Sequence, residues 1–367
     1  MRSVLFVEDE PLILQGLQRM LRPRRREWDM RFQEGGVAAL AAMAERPADL
    51  VVSDLRMPGM DGAELMAEVA RRHPGTIRLI LTGHADREMV LRCLGNTHRI
   101  LSKPFEPGRL GEVVDEAFSA VRRLRELGWC DRARLPSRIP VPMPALERVR
   151  RAVGPDGPDP GAVACCVESD PSLTFGILHA ANSGILLEGL PIRTVRAAVS
   201  RLGTELLRRI VVDPAILEPA PPDDSDRLGA SAAHWRCVAR VAGRIALSSG
   251  SDGEAVDAIR AAVLILGVGT VLGRLPEPVP VPGCGGPIGR LFGLPAELSP
   301  VVDATAGAVV LQLPTGPGDA AATAAALVEH VAGKDPSSRE GWDPAWCRIA
   351  AEELRKERSH EEDPVCR

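Results

Sequence analysis

The feature that most constrains the fold is an alternation in the first third of the chain. Val4 to Val7, Met30 to Phe32, Leu50 to Val52, Ile77 to Leu81 and Arg99 to Leu101 are short apolar runs that read as strands. Between and after them, Leu12–Leu21, Val37–Ala44, Ala63–Arg71, Arg87–Leu94 and Leu110–Leu127 space their apolar residues as amphipathic helices do. Strand and helix in strict succession imply parallel βα units, since a parallel neighbour is reached only through a crossover. A doubly wound α/β sheet of five strands is expected. Arg122, Arg123 and Arg125 with Gly128 close the last helix, with positive charge in its final turn and glycine beyond it.

Prolines 136, 140, 142 and 144 then interrupt regular structure, and the pattern after them is helical throughout. At 367 residues the chain suits two domains. The expected layout is an α/β domain over 1–125, a linker over 126–142, an all-α domain over 143–335, and a C-terminal helix with a frayed tail over 336–367. Asp170-Pro171 opens one helix, the aspartate capping free N–H groups and the proline suiting the first turn. Further helices are expected over Val195–Leu202, Leu206–Val212, Ala230–Leu247, Ala255–Leu266, Ala296–Ala306 and Ala320–Val331, with an irregular loop between Pro276 and Gly289.

Composition removes several classes of function. Net charge is −4, so no overall basic field draws the chain to nucleic acid or anionic lipid. Aromatics are 3% and tyrosine is absent, which leaves no stacking surface for single strands. The run Arg24, Arg25, Arg26 reads as a solvated loop. No apolar stretch approaches the ~20 residues of a membrane span, and acidic Glu8 and Asp9 follow the first apolar run too soon for a signal peptide. A cytoplasmic protein is expected. Eight cysteines without a C-x-x-C pair indicate neither a zinc site nor a disulfide framework, and read as reduced thiols.

In a sheet of this kind, ligands bind beyond the carboxyl ends of the strands. Glu8 and Asp9 end the first strand, Asp54 the third, Thr82 the fourth and Lys103 the fifth. Three carboxylates converging there would repel one another unless a cation neutralised them, and an oxygen-only site with room for phosphate suits Mg²⁺. Asp9 and Asp54 are expected as direct ligands, Glu8 directly or through water, and the backbone carbonyl of Arg56 completes the set. Phosphoryl transfer to Asp54 is the expected chemistry, with Lys103 and Thr82 meeting the phosphoryl oxygens.

The words around these residues carry a family resemblance. Phe6-Val7-Glu8-Asp9-Glu10-Pro11, Ser53-Asp54-Leu55-Arg56-Met57-Pro58-Gly59-Met60-Asp61-Gly62, Leu81-Thr82-Gly83 and Ser102-Lys103-Pro104-Phe105 closely resemble the receiver domains of bacterial response regulators. The resemblance implies a flavodoxin-like sheet of order 2-1-3-4-5 and a sensor histidine kinase as phosphodonor. It also implies Tyr or Phe three positions before the lysine. Ile100 stands there instead, so coupling to the output is expected to be altered.

Val167-Glu168-Ser169-Asp170-Pro171-Ser172-Leu173-Thr174 and Leu178-His179-Ala180-Ala181-Asn182-Ser183 resemble the HDOD domain, a helical relative of the HD phosphohydrolases. An HD enzyme needs an adjacent His-Asp pair for its metals. The segment that should carry it reads Leu264-Ile265-Leu266-Gly267-Val268-Gly269. His234 is therefore read as a helix residue rather than a ligand, and Asn182-Ser183 as an end cap in preference to part of a small-ligand pocket. A non-catalytic output signalling through a downstream protein partner is expected. The alternative, a receiver-controlled phosphodiesterase acting on a cyclic dinucleotide, is disfavoured by the missing ligands. The stripe Leu110, Val114, Ala117, Val121 and Leu124 suits packing within the chain, the preferred reading, or a homodimer.

Overall fold

The computed structural model describes residues 1–83, 87–106, 108–126, 135, 138–154, 159–183, 191–248, 250–272, 285–295, 348–353 and 355. The chain divides into two compact units, the first made mostly of Met1–Arg138 and the second mostly of the chain from Ile139 onward. In the first, β1 (Arg2–Glu8), β2 (Trp28–Glu34), β3 (Leu50–Asp54), β4 (Ile77–Thr82) and β5 (Arg99–Ser102) form one parallel sheet of order β2-β1-β3-β4-β5. The crossovers are α1 (Pro11–Met20), α2 (Gly36–Glu45), α3 (Gly62–Arg72) and α4 (Arg87–Leu94), and α5 (Arg109–Glu126) follows the last strand. Helices on both faces make the central strands apolar throughout, as in Val4 to Val7 and Leu50 to Val52, all buried. The neighbour order reverses beside β1, where a crevice opens between β1 and β3 at their carboxyl ends.

One feature of this unit departs from the sequence reading, and another was not part of it. Arg22–Arg26 is a 3-10 helix rather than a loop, held by Arg24, which pairs with Asp115 at 2.8 Å and lies over the Trp28 ring. Strand β4 contains a fully buried Arg78, whose guanidinium donates to the carbonyls of Thr76 and Asn96, both at 2.7 Å. Satisfied donors let a charged residue stay inside an otherwise apolar strand.

The second unit is helical: α6 (Met143–Ala152), α7 (Pro160–Glu168), α8 (Pro171–Asn182), α9 (Val195–Val212), α10 (Pro222–Ser248), α11 (Gly253–Leu272) and α12 (Gly285–Leu291). α6 and α7 were not foreseen, although Asp159-Pro160 repeats the cap signal of Asp170-Pro171, with Asp159 Oδ1 accepting from the Gly161 N–H at 2.9 Å. α10 begins well before the expected Ala230, because Pro222 suits a first turn and Asp223 and Asp224 favour its positive end. Where an irregular loop was expected as far as Gly289, Gly285 already starts α12. The expected helices Ala296–Ala306 and Ala320–Val331 lie outside the described residues.

Packing in this unit centres on α10 and α11, where Val238, Val241, Ala242 and Ile245 meet Val256, Ile259, Val263 and Leu264. Residues 348–353 add a helical turn whose Ala350 joins that core. Glu353 there is 3% exposed and pairs with Arg240 at 2.8 Å and Arg244 at 3.0 Å, which fastens this turn to α10, while the expected frayed tail lies almost wholly outside the described residues. α6 and α9 cap each other's ends. Arg150 donates to the Val211 carbonyl at 3.1 Å, and Arg208 to those of Val153 and Gly154 at 3.2 and 3.0 Å. Cys93, Cys166 and Cys237 are free and buried, but Cys165 is disulfide-bonded, contrary to the expectation of thiols throughout.

α9 is two helices joined at Gly203, whose φ of 69° and ψ of 167° no L side chain adopts comfortably. The junction lies between the two separate runs read from sequence. Gly203→Ala should cost about 1–3 kcal/mol, seen as a lower urea midpoint for the helical unit with its helical circular dichroism retained.

Candidate functional site

The crevice beside β1 gathers charge because three strands end there on acidic or basic residues. Glu8 is the last residue of β1 and Asp9 follows it, while Asp54 ends β3. Ligand oxygens of all three carboxylates lie within 4.8 Å of one another, and no other such group of three occurs among the described residues. Glu8 is 2% and Asp54 8% exposed, so their charges are poorly screened by water.

Lys103, just beyond β5, answers that crowding. Its Nζ donates to Asp54 Oδ1 at 2.5 Å and to Glu8 Oε2 at 2.8 Å. Burial pulls the lysine pKa down, but bonding and attraction to the two carboxylates outweigh it, and the ammonium is held above its ordinary value. Burial pushes Glu8 up, the Lys103 bond opposes this, and the neighbouring charges of Asp54 and Asp9 add to the rise. The backbone brings Thr82 to the same edge: Asp54 pairs with Leu81 in the β3–β4 register, and the Thr82 carbonyl accepts from Lys103 N–H at 2.6 Å.

Asp54 is held in orientation by groups the sequence reading did not include. The Arg56 N–H donates to Asp54 Oδ2 at 2.7 Å, a role separate from the one expected of the Arg56 carbonyl. Ser53 Oγ donates to the Asp54 carbonyl at 2.7 Å. Gly62, the first residue of α3, runs so close to β3 that a Cβ would collide with the Asp54 carbonyl oxygen and press on Leu55. The Asp61 and Glu64 side chains form a reciprocal capping box that fixes this helix start. The Met57-Pro58-Gly59-Met60-Asp61-Gly62 run held the signal, since a cap followed by glycine marks a helix that must begin against something close.

Residues 4–115 match the family model of the response regulator receiver domain, and residues 139–272 match that of the HDOD domain. The chain is a response regulator receiver domain followed by an HDOD domain. Curated relatives include the transcriptional regulatory protein GlrR of Escherichia coli (strain K12), 30% identical over 148 residues, 40% of this chain and 32% of that protein. The DNA-binding transcriptional regulator NtrC of Salmonella typhimurium is 36% identical over 91 residues, 24% of this chain and 18% of that one. The chain thus spans about a third or less of these relatives. Among solved structures, the signal receiver domain of an HD domain-containing protein from Pseudomonas fluorescens Pf-5 is 31% identical. It covers 33% of this chain and 98% of that one, with a TM-score of 0.32.

In the HDOD domain, the Leu266-Gly267 segment, where the sequence reading looked for a His-Asp pair, packs against α10. A Cβ on Gly267 would stand 2.6 Å from the Trp235 ring, so the indole of α10 lies directly on the α11 backbone. His234 is half-buried and meets Trp235 edge-on, with ring centroids 5.6 Å apart. Asn182 and Ser183 are buried, Asn182 being the last residue of α8. Ile100, at the position where the resemblance implied an aromatic residue, is 7% exposed within the sheet edge.

Gly62→Ala should force β3 and α3 apart at Asp54. Overpacking of this kind costs about 1–3 kcal/mol, and it should appear as a lower unfolding midpoint of the receiver in urea. A weaker response to Mg²⁺ should accompany it.

Proposed function

We propose that this two-component response regulator is switched by phosphorylation of Asp54, with a sensor histidine kinase as donor, and that its helical output acts without catalysis by engaging a downstream protein in the cytoplasm. The observation that carries the reading is Lys103 bridging Glu8 and Asp54 inside a three-carboxylate crevice. An all-oxygen set of this kind fits Mg²⁺, which would be held by Asp9 and Asp54, with Glu8 directly or through water and the Arg56 backbone carbonyl completing the set. Bound there, the ion supplies charge neutralisation for the incoming phosphoryl group.

Asp54 presents an ionised oxygen to phosphorus, the bond from phosphorus to the donor nitrogen breaks, and the imidazole leaves with that electron pair. Arg56 N–H keeps the Asp54 carboxylate from rotating away. Lys103, already within bonding distance of Asp54, meets a phosphoryl oxygen, and the Thr82 hydroxyl at the end of β4 takes another. Movement of Thr82 toward the phosphoryl group would shift the segment that follows β4 and so change the receiver surface. Ile100 offers no aromatic ring to follow that movement, and coupling is correspondingly altered. The domain layout that goes with this reading is a receiver over 1–125, a linker over 126–142, the helical output over 143–335 and a C-terminal segment over 336–367.

Absence of catalysis in the output is supported by Trp235 lying over Gly267 where an HD enzyme needs ligands. Metal analysis of the purified full chain should find no tightly bound transition metal. Incubation with Mg²⁺ and acetyl phosphate should add the mass of one phosphoryl group to the wild type and none to Asp54→Asn. Lys103→Ala should accept the group far more slowly. A wild-type protein that gains no Asp54-dependent mass would end the proposal.

A further inference from the structure

At the corner where α7 meets α8, the helical unit takes the Asp170 carboxyl group out of water and half-buries that of Glu168. Asp170 is 1% exposed, and its Oδ1 accepts from the N–H groups of Ser172 and Leu173 at 2.8 and 3.0 Å, capping α8. Two arginines reach this corner, Arg148 from α6 and Arg236 from α10. Both bond to Ser169 rather than to the carboxylate: Arg148 to its Oγ at 3.3 Å and Arg236 to its carbonyl at 3.2 Å. Asp170 thus has two N–H groups and the positive end of α8 in contact, but meets its cations only at a distance. The Ser172 hydroxyl beside it is buried without a partner.

Glu168, two residues earlier, is the last residue of α7, where a negative charge opposes the helix dipole. From α9 and α11, the charged groups Arg196, Asp257 and Arg260 act on Glu168 and not on Asp170.

From this geometry we infer that the Glu168–Asp170 corner is a proton-sensitive joint, which tightens the helical unit as its surroundings turn mildly acidic. A buried carboxylate with no cation in contact is costlier charged than neutral, and its neutral form still accepts the two N–H bonds that start α8. Burial holds Asp170 up at about 6, against backbone bonds to Leu173 and Ser172 and the attraction of Arg148 and Arg236, which lower it. Glu168 is raised as well, by burial and by Asp257, with Arg196 and Arg260 opposing.

The folded state therefore keeps a proton on Asp170 that the unfolded chain, with its ordinary value of 3.8, releases. The added stability is complete below the unfolded value and is lost as pH rises through the folded one. Between them, the unfolding constant of the helical unit should change by up to about tenfold per pH unit.

The test uses the full chain and its Asp170→Asn variant, whose amide oxygen still caps α8 but cannot ionise. Thermal unfolding of the helical unit should show a midpoint that rises in the wild type from about pH 7 to about pH 5, and rises less in the variant. Parallel curves would overturn the inference. A direct reading on the wild type alone is the ¹³C titration of the Asp170 carboxyl carbon, assigned through its own backbone amide. A midpoint near 6 supports the joint, and one near 3.8 sinks it even if the variant fails to fold.

Discussion

The receiver is organised around the electrostatic cost of placing Glu8, Asp9 and Asp54 at one crevice. Parallel strands bring their carboxyl ends to the same edge, so the fold itself concentrates the charges. Lys103 relieves the repulsion from the far side of the sheet, at the end of β5, and so ties the last strand to the first and third. Placement of β5 beside β4 and the close entry of α3 at Gly62 serve that arrangement. A site crowded with like charges and bridged by one ammonium is sensitive to any further charge, because that charge changes the balance that holds the edge together.

The helical domain handles the same problem in the opposite way. At Gly267 it sets an indole against a glycine backbone, and its core is built from apolar contacts between α10 and α11. Four of its arginines finish helix ends: Arg150 and Arg208 cross-cap α9 and α6, and Arg148 and Arg236 fasten Ser169 at the close of α7. Charge in this domain therefore holds helices to one another. At Asp170 that use of charge leaves a carboxyl group buried without a cation in contact.

Much of the receiver was legible because its signals are local. β-branched runs marked the strands, helical spacing marked the crossovers, and the strand-end residues named the crevice before any coordinates did. Less of the helical domain was legible, since proline and glycine there both interrupt and begin helices. Pro160 and Pro222 start helices by sitting in first turns, and Gly285 begins α12 within a stretch rich in both residues.

What the sequence determined by itself was the order of elements, the strand-end placement of Glu8, Asp9, Asp54, Thr82 and Lys103, and the want of a His-Asp pair at Leu266-Gly267. These follow from periodicity and residue type, which the chain carries in any conformation. Only the tertiary structure decided that Lys103 bridges Asp54 and Glu8, that the Arg56 amide orients the Asp54 carboxylate, that Trp235 covers Gly267 and that Asp170 lies buried beside Ser169. Each of these depends on the approach of groups from different segments, to within a fraction of an ångström or out of reach of water. Spacing along the chain does not encode that approach; packing does.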